Sequence, residues 1–131
     1  MKKIENLKFK FNFSNMILYA GSTWDWHKIH YDPEYLEEKS IPRPVVDGQV
    51  FGSLISKQLL THFGKKSRIV FMDFKFKSMV FEGESIEINS EVINKIITTD
   101  ENNSTYEVSS TIVCNDRIVI ENASSIVKVL K

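Results

Sequence analysis

The residues best equipped for chemistry lie in one short stretch, Thr23-Trp24-Asp25-Trp26-His27-Lys28-Ile29-His30-Tyr31-Asp32. It carries His27 and His30 out of 3 histidines in the chain, and both of the 2 tryptophans. Imidazole titrates near neutrality, and a neighbouring carboxylate can orient it or share a proton transfer with it. Asp25 or Asp32 beside either histidine is therefore equipped for general acid–base work on a water molecule. The plainer alternative is a Trp-anchored surface loop with incidental polar groups. Residue types alone leave both readings open.

The elements that position this stretch can be read on either side of it. Lys8 to Phe13 alternates Phe9, Phe11 and Phe13 with Lys8, Lys10 and Asn12, the period of a half-buried strand. Ser14 as N-cap predicts a short helix over Asn15 to Ala20, stopped by Gly21. Ser22 to Tyr31 has no clean period and reads as loop. Asp32-Pro33-Glu34 is a helix start, with an N-cap, a proline in the first turn and an acid near the positive end. This helix is expected to reach about Lys39, before Ile41-Pro42-Arg43-Pro44 enforces extended backbone. From Asp47, the residues Val50, Phe51, Leu54, Ile55, Leu59 and Phe63 predict a longer helix closed by Gly64. Gly52, Ser53 and Ser56 give it a small-residue face suited to close approach. Four strands are expected after it, over Ile69 to Phe76, Ser85 to Thr98, Tyr106 to Asn115 and Arg117 to Lys128. Asp100-Glu101-Asn102-Asn103 and Asn115-Asp116 supply turns. Short turns between strands imply an antiparallel sheet, and a sheet wrapped on one long helix is an α+β layer.

The motif resembles that of a known family. Asp25-Trp26-His27-Lys28-Ile29-His30-Tyr31-Asp32, preceded by Tyr19-Ala20-Gly21-Ser22-Thr23, is similar to the hydratase motif of the MaoC-like dehydratases, Asp-x-Asn-x-Ile-His-x-Asp. Pro44-Val45-Val46-Asp47-Gly48-Gln49 resembles that family's second motif, in which a glycine opens the central helix. The resemblance covers nearly the whole chain and implies a hotdog fold over residues 1–131 as a single domain. It implies reversible hydration of a 2-enoyl thioester carried by coenzyme A or acyl carrier protein, with Asp25 and His30 as the catalytic pair. It implies a homodimer or larger homo-oligomer, two sheets joined edge to edge, or a heteromeric partner chain. Two positions depart from the pattern. His27 stands where the family often has Asn, and Asp47 stands where many members have His. Asp47 reads more readily as a helix cap than as a catalytic group.

Hydration requires a water that is oriented and loses a proton, an α-carbon that gains one, and support for the enolate-like thioester oxygen. Asp25 and His30 can serve the first two tasks; which is acid and which is base stays open. Gly48 suits the third, because its amide lies in a first helical turn where donors are unpaired and the dipole is positive. One such donor contributes about 3–4 kcal/mol to a transition state. Trp24, Trp26 and Tyr31 are candidate walls of an acyl site, with core packing as the plainer reading. His62, Lys65, Lys66 and Arg68 could meet coenzyme A phosphates, although cations at a helix C-terminus are common on solvated faces.

Composition narrows the alternatives. The chain has 131 residues, with Lys plus Arg and Asp plus Glu both at 17. Zero net charge weighs against a nucleic-acid binder. The single cysteine, Cys114, excludes an internal disulfide and a Cys-built zinc site, so no metal and no cofactor are expected, and a reducing cytoplasm fits best. No apolar run follows the opening Met1-Lys2-Lys3 or approaches a membrane span, so neither a signal peptide nor a membrane role is expected. Ser53 and Ser56 lie in no nucleophile elbow. Two rival functions stay open: a hotdog thioesterase, which would need a carboxylate near the central helix, and a non-catalytic or supporting subunit of a heteromeric dehydratase.

Overall fold

The computed structural model describes residues 2–131. Five strands are present: β1 (Lys2–Lys10), β2 (Ser67–Asp73), β3 (Ser85–Ile96), β4 (Asn103–Cys114) and β5 (Arg117–Leu130). They form one antiparallel sheet in the order β1-β3-β4-β5-β2. Three helices accompany it: α1 (Phe13–Thr23), α2 (Pro33–Glu38) and α3 (Gln49–Phe63). The sheet curls around α3, the hotdog arrangement that the resemblance implies.

The centre of the fold follows from the spacing on α3. Phe51, Leu54, Ile55 and Leu59 recur at helical intervals and face Ile86, Ile88, Val108, Ile112 and Val127 of the sheet. Ile55 and Leu59 are completely buried, and each such side chain contributes about 1.5–3 kcal/mol. One polar residue shares this stripe. Gln58 donates from Nε2 to the carbonyls of Glu5 and Ile88, and its Oε1 accepts from Ser90 Oγ, which also bonds Ser110. The Glu5 carbonyl is available because β1 slips register against β3 between Ile4 and Leu7. Gln58 therefore ties the helix to that irregularity at no cost in unsatisfied polar groups.

The small face of α3 meets aromatic side chains rather than backbone. A Cβ at Gly52 would lie 3.2 Å from Phe74 Cε1, and one at Gly48 would lie 2.4 Å from Phe76 Cζ. Phe74 and Phe76 belong to the extension of β2, which ends at Asp73 rather than at the expected Phe76. No helix among the described residues is long and apolar enough to cross a membrane.

Several boundaries differ from the sequence-based expectation. The first strand begins at Lys2, well before Lys8, and Phe13 opens α1 instead of ending the strand. The N-cap of α1 is Asn12, not Ser14: Asn12 and Asn15 exchange side-chain to backbone bonds at 2.9 and 3.2 Å. Gly21 does not stop α1, which continues to Thr23 and ends where Trp24 turns left-handed at φ 59°.

Candidate active site

The left-handed turn at Trp24 aims the catalytic segment. Both the Trp24 and the Asp25 amides donate back to Ala20 O, closing α1 and throwing the Asp25 side chain toward the start of α3. A single 3₁₀ turn, Lys28–His30, follows where loop was expected. His27 caps it, its Nδ1 accepting from the Ile29 amide at 3.0 Å. His27 also meets Tyr35 edge-on, with ring centroids 5.6 Å apart. Asp32 caps α2 as the sequence predicts, accepting from the Glu34 and Tyr35 amides.

His30 is locked by the next segment. Its Nδ1 donates to Val45 O at 2.7 Å, and the Val45 amide donates to Ile29 O at 3.0 Å. A carbonyl can only accept, so Nδ1 carries a proton and Nε2 faces the site. Val45 and Val46 are pinned on their other side by a bridge to Phe81 and a bond from the Val46 amide to Val80 O. This two-sided clasp delivers Asp47 and Gly48 beside the imidazole.

Three side chains converge there. His30 Nε2 lies 3.8 Å from Asp25 Oδ2 and 3.8 Å from Asp47 Oδ2. The donor atoms of all three lie within 4.8 Å of one another. A separation of 3.8 Å is too long for a direct hydrogen bond and suits two groups that hold one water between them. His30 and Asp47 are largely buried, whereas Asp25 is 42% exposed. The two carboxyl groups are also within hydrogen-bonding reach of each other. That bond is the main influence holding Asp25 below the usual carboxylate range, helped by the His27 amide. Asp47 is pushed the other way, first by burial and then by Asp25. Asp47 does act as a cap, its Oδ1 accepting from the Gln49 amide at 3.0 Å, but its second oxygen belongs to the cluster.

Gly48 opens α3, and its amide finds no acceptor among the described residues. Two clefts meet at His30 and Val46. One, of about 270 Å³, is walled by Phe9, Phe11, Met16, Tyr19 and Val50 and has Asp47 at its inner end. The other, of about 400 Å³, runs past Gly48, Phe51, Phe76 and Met79. Met79 is half-exposed cleft wall.

The structure brings Asp25, His30, Asp47 and Gly48 together. It does not bring Trp24 or Tyr31 to them. Trp24 is 79% exposed and borders neither cleft. Tyr31 donates its hydroxyl to Trp26 O and faces a separate groove beside Pro33 and Pro44. His27 acts through its cap and its contact with the His30 ring, 6.0 Å between centroids. His62, Lys65 and Lys66 lie at the opposite end of the 15-residue α3, about 20 Å away by helical rise. Tyr19 is the residue that sequence reasoning missed. It lines the first cleft, and its hydroxyl is pushed up by burial, opposed by a hydrogen bond with Ser53, and raised further by Asp47 and Asp25. Its only sequence signal is its position on α1 immediately before the motif.

The comparisons with known proteins agree with this architecture. Residues 3–113 match the family described as a MaoC like domain, and the chain belongs to that family. An (R)-specific enoyl-CoA hydratase of Aeromonas caviae is 29% identical over 87 residues, 66% of this chain and 65% of that protein. The match thus spans just under two thirds of the relative's length. Among solved structures, the (R)-hydratase of A. caviae superposes with a TM-score of 0.81 at 23% identity, covering 99% of this chain and 95% of that one. The ChsH1-ChsH2 complex of Mycobacterium tuberculosis gives 0.79 at 12% identity, covering 98% and 95%. These likenesses establish the hotdog fold.

Proposed function

We propose that this chain is a hydratase/dehydratase acting reversibly on 2-enoyl and 3-hydroxyacyl thioesters of coenzyme A or acyl carrier protein. The single observation that carries the reading is the gap between His30 Nε2 and Asp25 Oδ2, sized for one water and placed where two clefts meet beside the Gly48 amide. A substrate laid through both clefts puts its thioester carbonyl at the start of α3 and its β-carbon at that gap. One of the pair removes a proton from the water as the carbon–oxygen bond forms at the β-carbon. The electron pair moves to the thioester oxygen, where the Gly48 amide supports the charge. The α-carbon then takes that same proton, returned by the group that removed it or passed across the gap through the other. The water's oxygen and one hydrogen thus end on the β-carbon, its second hydrogen ends on the α-carbon, and both groups regain their starting states. Family membership and the name of the A. caviae relative support this chemistry. Residues 1–131 work as one domain, without metal or cofactor, in the cytoplasm, where the single buried Cys114 stays reduced.

The working form is a homodimer. β2 is an edge strand that leaves Val70 and Phe71 about half exposed, the kind of edge proteins cover by pairing. The test is to purify the chain alone and follow loss of the conjugated thioester absorbance with short enoyl-CoA substrates, alongside thiol release and mass in solution. Hydration by a homodimer is expected. Thiol release points to the thioesterase reading, and activity only with a second chain points to the heteromeric one.

A further inference from the structure

The least expected feature of the site is a second carboxyl facing the imidazole. Resting on the hydratase reading, we propose that Asp25 and Asp47 share one proton, held by Asp47, so that Asp47 is the positioning residue that fixes an ionised Asp25 against His30.

The geometry demands a proton in this cluster. The His30 ring already spends its Nδ1 hydrogen on Val45 O. With a neutral ring and two carboxylates, three lone-pair groups would converge within 4.8 Å with no hydrogen among them, two of them negative. A like charge at such range disfavours ionisation of the second carboxyl, most of all on the less exposed of the two. The titratable groups that face the pair are Tyr19 from α1, His27 and His30 from the segment that follows, and none is a lysine or arginine. Lys77, which lines the second cleft, is paired with Glu121, so among the described residues no lysine or arginine offsets a second charge on the two carboxyls.

The two carboxyls are not equivalent, which decides where the proton sits. Asp47 is 13% exposed and Asp25 42% exposed, so water stabilises the charge on Asp25 better. Asp25 also accepts from the His27 amide. Asp47 Oδ1 is occupied by the Gln49 amide, which leaves Oδ2 to carry the hydrogen and donate it to Asp25. The directions in which the two groups titrate, Asp25 downward and Asp47 upward, agree with this assignment. Protonated Asp47 thus holds one lobe of the Asp25 carboxylate and leaves the rest for water. As pH rises through the Asp47 titration a second charge appears. It repels Asp25, and Asp25 loses the donor that held it in place for the water.

The test uses the full chain and two readouts. Asp47→Asn keeps a donor and the helix cap but cannot ionise, whereas Asp47→Ala removes both. The wild type is expected to show an alkaline fall in kcat/KM, and Asp47→Asn is expected to abolish it and to retain about tenfold more kcat than Asp47→Ala. Carboxyl ¹³C NMR of aspartate-labelled protein reads the proton without substrate. One carboxyl is expected to titrate above the usual aspartate range and one below it. The upper titration is expected to vanish in Asp47→Asn and to return toward the usual value in Asp25→Asn. An ordinary Asp47 titration, or an alkaline limb unchanged in Asp47→Asn, overturns the shared proton even if hydration is fast. A wild type that shows the upper titration yet hydrates no enoyl thioester refutes the hydratase reading and leaves the shared proton standing.

Discussion

Replacing Gly48 with alanine separates packing from chemistry at the start of α3. The added Cβ would lie 2.4 Å from Phe76 Cζ and 2.9 Å from both Cε atoms, so the ring must retreat by about 1 Å to reach ordinary contact. Phe76 is half exposed and can move outward, at the expense of its contacts with Phe51 and Phe74. Overpacking of this kind costs about 1–3 kcal/mol. Gly48 has φ −60° and ψ −25°, a conformation alanine adopts freely, so about 0.5–1 kcal/mol is recovered from the unfolded chain. The net expectation for Gly48→Ala is a loss of about 0–2.5 kcal/mol, read as a lower urea midpoint at constant slope. In a Phe76→Ala background the clash is absent, and Gly48→Ala is expected to be neutral or stabilising by a few tenths of a kcal/mol. Hydration should stay impaired in both backgrounds, because the methyl group crowds the cleft at the amide. Equal destabilisation with and without Phe76 would refute the packing argument, and full hydration rates in both would remove Gly48 from the thioester site.

Other consequences follow from the same contacts. Glu84 is nearly buried, and its bond from Arg117 Nη2 at 2.8 Å is the main reason its carboxyl titrates below the usual range. Its folded value lies below the unfolded one, so the stability it adds is present above the unfolded value and is lost as pH falls through the folded one. Glu84→Gln is expected to cost about 1–3 kcal/mol at neutral pH and to flatten the acid side of the stability profile in urea titrations. Leu59→Ala, at a fully buried site on α3, should lose about 2–5 kcal/mol in the same assay. Trp24→Ala should change stability by less than about 0.5 kcal/mol and leave hydration kinetics unaltered, since the ring stands in solvent; a large rise in KM would return it to the acyl site.

What the sequence made legible was local. Asp32-Pro33 and the apolar spacing from Val50 to Phe63 contain their own start signals and period, and both helices lie where these place them. The Asn115-Asp116 turn joins β4 to β5 with Asn115 left-handed, as its residue types suggest. The part of β1 before Lys8 was hidden because its slip between Ile4 and Leu7 breaks the alternation that marks a strand. Gly21 carried a stop signal, yet the helix ran on, because the left-handed residue is Trp24. Asp25 and His30 could be singled out from one short motif. Asp47 could be read as a substrate-binding candidate from its position before Gly48, but its contact with His30 and Asp25 could not, since the clasp between Val45, the 3₁₀ turn and Phe81 is tertiary. The same holds for Tyr19, which reaches the cleft only because α1 lies over the start of α3.

The most direct measurement is single-residue removal of the pair. Asp25→Asn and His30→Gln preserve shape and hydrogen-bonding capacity while removing proton transfer. With purified chain and a short enoyl-CoA, each folded variant is expected to lose about 10²–10⁴ in kcat with little change in KM. Rates within about threefold of wild type in either variant, with its circular dichroism intact, would contradict the assignment of the reacting water to this gap.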